Sequence, residues 1–241
     1  MFGINPDARP QVFTDETQIR KPVSWFSFYL CPFVFICARH VSKIMSEPKL
    51  KVLAVVGSTH ASSVTRVVIT HVASELRQEG CEVDVLDLSK EPLALFNVET
   101  AYGQAGFAAL QARVAAADVF VLGTPDYHGS ISSALKNFLD HFWKEFTGKL
   151  FATVVASHEK GLTVTDQLRT VARQCYAWSL PYGVAFAEKQ DVIDGKIANE
   201  AFKSRLEMFV RDTRVYGGLL AAQRRADLAG TAPGFLARLR K

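Results

Sequence analysis

The segment Gly57 to Arg66, GSTHASSVTR, gathers a glycine, several hydroxyls and a histidine where an apolar run gives way to a helical pattern. Hydroxyls, unpaired backbone N–H groups and the positive end of a helix are what an anion site is made of, so a phosphate-bearing ligand leads. Glycine spacing excludes two well-known owners of such a loop. A Walker loop needs GxxxxGK[ST], and Gly57 is followed by neither the second glycine nor the lysine; a dinucleotide fingerprint needs GxGxxG, and only one glycine is present. Ser58, Ser63 and Thr65 are left as candidate phosphate ligands, with His60 as a further donor. The competing reading is an ordinary strand–loop–helix junction in which Ser62 or Ser63 caps the helix. Arg66 suits a surface ion pair as well as a phosphate contact.

Two more loops carry unusual residues. In GTPDYHGSISSALKNFLDHF, Gly123 to Phe142, Pro125 and Gly129 bracket a tight turn whose backbone groups can face a planar polar heterocycle. Tyr127 can offer its ring as a wall. Ser130 or Ser132 caps the helix that follows, and Lys136 and Asp140 are spaced i,i+4 as a surface pair. In SHEKG, Ser157 to Gly161, His158 and Glu159 resemble a base and its partner, but neighbours in sequence rarely form a working dyad, and a solvated loop is the simpler account. HEK lacks the HExxH spacing of a zinc protease, no GxSxG elbow occurs, and the histidines are scattered. Covalent hydrolysis and metal chemistry are therefore poorly supported, and no catalytic side chain is assigned.

The elements that must position these loops alternate from residue 50 onward. Strands are expected at Leu50–Val56, Glu82–Leu88, Val119–Gly123, Leu150–Ser157 and Pro181–Ala187. Helices are expected at Ser63–Glu79, Phe107–Ala116, Ile131–Phe142, Leu162–Cys175 and Asn199–Leu220. Continuous apolar strands are buried on both faces, which implies parallel pairing with helices outside. The fold class expected is α/β: a three-layer α/β/α sandwich on a parallel five-stranded sheet of order 2-1-3-4-5. In that order ligands sit beyond the C-terminal ends of strands one and three, which brings all three loops to one edge.

The chain has 241 residues, 49% apolar and 22% charged, enough for one α/β domain with a full core. Its net charge of +4, with no Lys/Arg stripe interleaved with aromatics, does not ask for nucleic acid. Cys31, Cys37, Cys81 and Cys175 show no metal-ligand spacing, and free thiols in a reducing cytoplasm are the simplest account. Residues 1–44 differ from the rest. Trp25 to Ala38 is nearly all apolar, yet short of the roughly 20 residues a membrane span needs, and Pro32 interrupts it. Met45 opens a stretch like an ordinary cytosolic start, so residues 1–44 are expected to be an atypical extension, with a membrane-associated tail as the rival reading if residues 22–39 are present and exposed. The expected organisation is extension 1–44, domain 45–220 and a basic tail 221–241.

Two stretches make the chain similar to the NADPH-dependent FMN reductase family of flavodoxin-like proteins. GSTHASSVTR resembles the family's GSxRxxSxN/T phosphate loop, with Ser58, Ser63 and Thr65 on matching positions and His60 where many members have Arg. GTPDYHGSISSALKNFLD resembles PEYNGSxPxxLKNxxD: Pro125, Tyr127, Gly129, Ser130, Leu135, Lys136, Asn137 and Asp140 match, while Asp126, His128 and Ser132 replace Glu, Asn and Pro. The loop after strand four departs, with only Gly161 where many members are glycine-rich. The likeness covers residues 49–187. It implies FMN held by Ser58, His60, Ser63, Val64 and Thr65 at the phosphate, and by Pro125, Asp126, Tyr127, His128, Gly129 and Ser157 around the ring. It further implies NADPH as hydride donor, a small-molecule acceptor such as a quinone, azo dye, metal oxyanion or free flavin, and a homodimer or homotetramer. The alternative is an FMN-binding electron carrier or redox sensor without efficient NADPH turnover; flavodoxins proper are usually strongly acidic, which tilts against a carrier. A fold relative that has lost the flavin is the third reading. Trp143 and Phe146 hint at a subunit interface, with core packing as the other explanation.

Overall fold

Alternate residues of the first strand, β1 (Lys51–Val56), face two separate cores, and this decides the architecture. In the computed structural model, which describes residues 48–232 and 234–240, Val52, Ala54 and Val56 face one core while Leu53 and Val55 face the other. A strand buried on both sides must be covered by helices on both sides. Helix α1 (Val64–Gln78) covers the first face with Val68, Ile69 and Val72, and the long helix α5 (Glu200–Ala229) joins it with Phe202, Leu206 and Phe209. The opposite face belongs to α2 (Phe107–Ala116), α3 (Ser133–Asp140) and α4 (Leu162–Gln174), through Leu110, Val114, Leu135, Phe138 and Leu168. Each fully buried aliphatic or aromatic side chain contributes about 1.5–3 kcal/mol, so these two layers carry most of the stability.

Strands β2 (Glu82–Asp87), β1, β3 (Val119–Pro125) and β4 (Leu150–Ala156) pair in parallel in that order. Val56 lies opposite both Asp87 and Gly123, and Pro125 lies opposite Ala156. The order is the expected 2-1-3-4-5, with the fifth position occupied by two short pieces. β5 (Trp178–Ser179) pairs with the start of β4 and β6 (Val184–Phe186) with its end. The strand expected over Pro181–Ala187 is thus shortened to β6, and β5 precedes it. Pro181 has no N–H for the ladder, and a Cβ on Gly183 would lie 2.5 Å from Thr153 Oγ1.

The chain then makes a small hairpin, β7 (Val192–Ile193) and β8 (Lys196–Ile197), which the hydrophobic pattern does not foretell. Helix α5 runs past Leu220, the end expected for it, to Ala229, so the boundary at residue 220 falls inside a helix. A final helix, α6 (Phe235–Arg240), follows. The expectations for residues 1–44 lie outside the described residues. Among the described residues no helix is long and apolar enough to cross a membrane.

Two buried polar groups tie elements together. Lys149, 1% exposed, donates through Nζ to the carbonyls of Val114 and Ala115 at 2.8 Å each, capping the C-terminal end of α2. Asp118, buried at the start of β3, pairs with Arg224 from the last turns of α5 and accepts the backbone N–H of Lys51 at 3.1 Å. Phe146, expected as an interface candidate, is buried against Phe120, Phe138 and Phe151; Trp143 is half exposed.

Candidate functional site

The order reverses between β1 and β3: the chain leaves β1 toward β2 and leaves β3 toward β4, which opens a crevice at their C-terminal ends. The loop after β1 enters that crevice. The Gly57 N–H donates to the Gly123 carbonyl at 2.8 Å, an approach so close that a Cβ on Gly57 would lie 2.5 Å from that oxygen. Ser63 is the N-cap of α1: its Oγ accepts the Arg66 N–H at 3.2 Å, so its own hydroxyl proton is free for a ligand. Ser58, Ser63 and Thr65 are all buried. Nδ1 of His60 accepts the Ser62 N–H at 3.2 Å, which leaves Nε2 as the ring nitrogen that can donate to a ligand.

Arg66 is committed elsewhere. Its Nε meets Asp87 Oδ2 at 2.7 Å, one Nη donates to Ser89 Oγ at 2.7 Å, and the other holds the carbonyls of His60 and Ala61 at 3.2 and 2.8 Å. The guanidinium is therefore a strap that pins the loop to the end of β2. Burial pushes the Asp87 carboxyl up, but hydrogen bonds from Arg66 and Ser89 outweigh it and hold the group below the ordinary carboxylate range.

The loop after β3 is a two-residue hairpin. Tyr127 and Ser130 exchange backbone bonds at 3.0 and 3.1 Å, and the two residues between them, His128 and Gly129, have φ of 56° and 73°. Two central residues at positive φ define a type I′ turn, which favours Asn-Gly and in which histidine is also tolerated. Asp126 props this hairpin: Oδ1 accepts the Gly129 N–H at 2.8 Å and Oδ2 accepts the Ser157 hydroxyl at 2.9 Å. That second bond joins the loops after β3 and β4. From α4, Gln167 accepts from Ser130 Oγ and the Ile131 N–H at 3.1 and 3.2 Å and donates to the Gly129 carbonyl at 3.2 Å. Ser132, 3% exposed, is the N-cap of α3; its hydroxyl donates to the Gly57 carbonyl, and its N–H donates to Thr124 Oγ1 at 3.0 Å. A proline at this position has no N–H and no hydroxyl for either bond.

These loops enclose a cavity of about 310 Å³. Of the residues the sequence singles out, Ser58, His60, Ser63, Val64, Thr65, Pro125, Asp126, Tyr127 and Ser157 line it. His128 and Gly129 do not; they form the apex of the turn. Ser62, Ala156, His158 and Glu188 complete the wall. Glu188 has no local signal. It reaches the cavity because β6 pairs with the end of β4, which the topology alone foretells. Among the described residues no three His, Cys, Asp or Glu side chains come together as a metal site.

One end of the cavity offers hydroxyl protons, the unpaired N–H groups of the first turn of α1 and the ring N–H of His60, with no ammonium or guanidinium in the wall. That donor set fits a phosphate monoester. The other end offers the flat Pro125–Tyr127 wall and backbone polar groups, which suit the edge of a planar heterocycle. A flavin mononucleotide unites these two parts.

The family model described as NADPH-dependent FMN reductase matches residues 50–191. The FMN-dependent NADPH-azoreductase of Staphylococcus saprophyticus subsp. saprophyticus is 28% identical over 173 residues, 67% of this chain and 92% of that protein. The Staphylococcus haemolyticus protein of the same name is 27% identical over the same shares. Among solved structures, the NAD(P)H:(acceptor) oxidoreductase FerB of Paracoccus denitrificans aligns over 70% of this chain and 98% of its own, with a TM-score of 0.58 at 17% identity. The apo form of the NADH:FMN oxidoreductase EmoB gives 0.57 at 16% identity, over 70% and 90%. These two likenesses show the fold.

Proposed function

The chain belongs to the NADPH-dependent FMN reductase family, and from that premise we propose which of its residues hold the cofactor and what surrounds them. It is an FMN-dependent oxidoreductase that draws on NADPH and passes electrons to an acceptor. The observation that carries the site assignment is the convergence of three loops on one hydroxyl-lined cavity at the switch point of the sheet. FMN, when bound, supplies the hydride-accepting ring.

Ser58, Ser63, Thr65, the N–H groups at Val64 and Thr65, and the His60 ring hold the phosphate. Pro125, Asp126 and Tyr127 flank the ring. His128 and Gly129 set the turn that presents them, and Ser157 fixes that turn through Asp126. Tyr127, 54% exposed, stands at the open side where nicotinamide and acceptor must come and go. No side chain is needed as acid or base: the chain positions, and excludes water from the buried side.

The acceptor is a small planar or oxidised molecule of the quinone, azo or flavin class. The azo linkage is supported by the staphylococcal relatives, which are named azoreductases. Free buried thiols at Cys81 and Cys175 and the use of NADPH support a cytoplasmic setting. Exposed aromatics at Trp143, Tyr176, Trp178 and Phe235 support a homo-oligomer. The flavin domain is taken to begin near residue 45.

Absorption spectra before and after anaerobic NADPH test the function. Oxidised-flavin bands that bleach with NADPH are expected. A bound flavin that stays oxidised would make the protein a carrier or sensor, and a colourless protein that ignores added FMN would reject the site.

A further inference from the structure

A second groove, of about 660 Å³, runs along α1 from Arg66, the residue after Thr65 of the flavin cavity. Its walls come from α1 (Arg66, Thr70, His71), from the β7–β8 hairpin (Lys196) and from the first turn of α5 (Glu200, Lys203). Both helices begin at the C-terminal edge of the sheet, because each follows the end of a parallel strand or its hairpin extension. The groove therefore lies beside the phosphate loop. His71 stands six residues beyond Thr65, about 9 Å along the helix axis.

The groove wall carries more positive than negative side chains and shares no residue with the flavin cavity. Arg66 is spent on Asp87, Ser89 and the loop carbonyls. Lys196 and Lys203 are not: among the described residues neither ammonium lies in an ion pair or a hydrogen bond. Glu200 is the one carboxylate in the wall, set against two ammonium groups, and Thr70 and His71 add further donors.

We propose that this groove binds the 2′-phosphate end of NADPH and makes Lys196 and Lys203 the residues that prefer NADPH to NADH. The proposal rests on the reading that NADPH is the donor of this site. FMN ends at its single phosphate, so nothing of the flavin extends along α1. A nicotinamide dinucleotide carries a second, phosphorylated half that must lie outside the flavin cavity. NADH lacks the 2′-phosphate and gains nothing from two flexible ammonium groups at that point.

Calorimetric titration of the purified protein with 2′,5′-ADP and with 5′-AMP tests this without turnover. The 2′-phosphorylated nucleotide is expected to bind roughly tenfold tighter or more, as charge-assisted contacts to a phosphate would give. The double variant K196E/K203E, with both changes at exposed positions, is expected to erase the difference. It should also raise KM for NADPH roughly tenfold while leaving KM for NADH and FMN affinity unchanged. Equal affinity for the two nucleotides in the wild type overturns the proposal, as does a variant that alters NADPH and NADH alike. A protein that binds 2′,5′-ADP but no FMN would sink the flavin assignment and leave this groove standing.

Discussion

Ser63 caps α1 through a lone pair of its oxygen, which leaves its proton for the phosphate proposed to bind there. Replacing it with Ala together with Thr65→Ala removes two donors to a dianion. FMN affinity is expected to fall roughly 10- to 100-fold, since hydrogen bonds to charged groups are worth about 1.5–3 kcal/mol each and neighbours are not additive. Fluorescence titration of apoprotein measures it, and unchanged affinity would reject this phosphate placement. The Ser63 cap was legible because a cap is a local feature. The commitment of Arg66 was not, because its partners lie 21 and 23 residues away and only the pairing of β1 with β2 brings them near. That strap has a pH signature. The folded Asp87 carboxyl titrates below its unfolded value of about 3.9, so its contribution is present above that pH and is lost as acid passes through the lower folded value. Acid unfolding of wild type and Asp87→Asn should therefore differ in slope below about pH 4, and superimposable acid limbs would contradict the strap. At the turn apex, His128→Asn should keep or raise Tm, whereas His128→Val should cost about 1–3 kcal/mol, because a β-branched residue resists positive φ. Equal melting of the two variants would contradict the I′ geometry.

At the scale of elements, apolar runs between glycines and prolines announced every long strand and helix, and the caps at Ser63 and Ser132 fall among the serines the sequence offered. The fifth strand was legible at Val184–Phe186, but its upstream piece, Trp178–Ser179, escaped because two residues carry no pattern. The β7–β8 hairpin escaped because two-residue strands carry no periodicity. Asn137, read only as part of a motif, latches the long connection after β2: it accepts the Phe96 N–H at 2.7 Å and donates to the Leu93 and Ala94 carbonyls. Lys149 plays the same part for α2. Lys149→Met keeps the volume but leaves the last carbonyls of that helix without their donor, and a loss of about 1–3 kcal/mol in denaturant unfolding is expected. An unchanged midpoint would show that water replaces the ammonium.

For the whole molecule, the end of α5 belongs to the fold. Arg224 is 13% exposed in its side chain and answers the buried Asp118 at the start of β3. Ending the chain after Leu220 would leave that carboxylate buried without its ion partners, at a cost of about 3–5 kcal/mol. Comparing melting curves of the shortened and full chains decides it, and equal stability would show that residues 221–241 add nothing to the fold. The reach of α5 was hidden because charged residues with i,i+4 spacing look alike on a helix and on a solvated tail; only the ion pair across 106 positions tells them apart. The strapping of Arg66 to Asp87 has a consequence for how the molecule meets its surroundings. The proposed flavin site, made of hydroxyls and amides with its nearest guanidinium already paired, would have little for salt to screen, while the two ammonium groups of the proposed 2′-phosphate groove would have much. In brine the protein would keep its yellow colour and lose its grip on the electron donor.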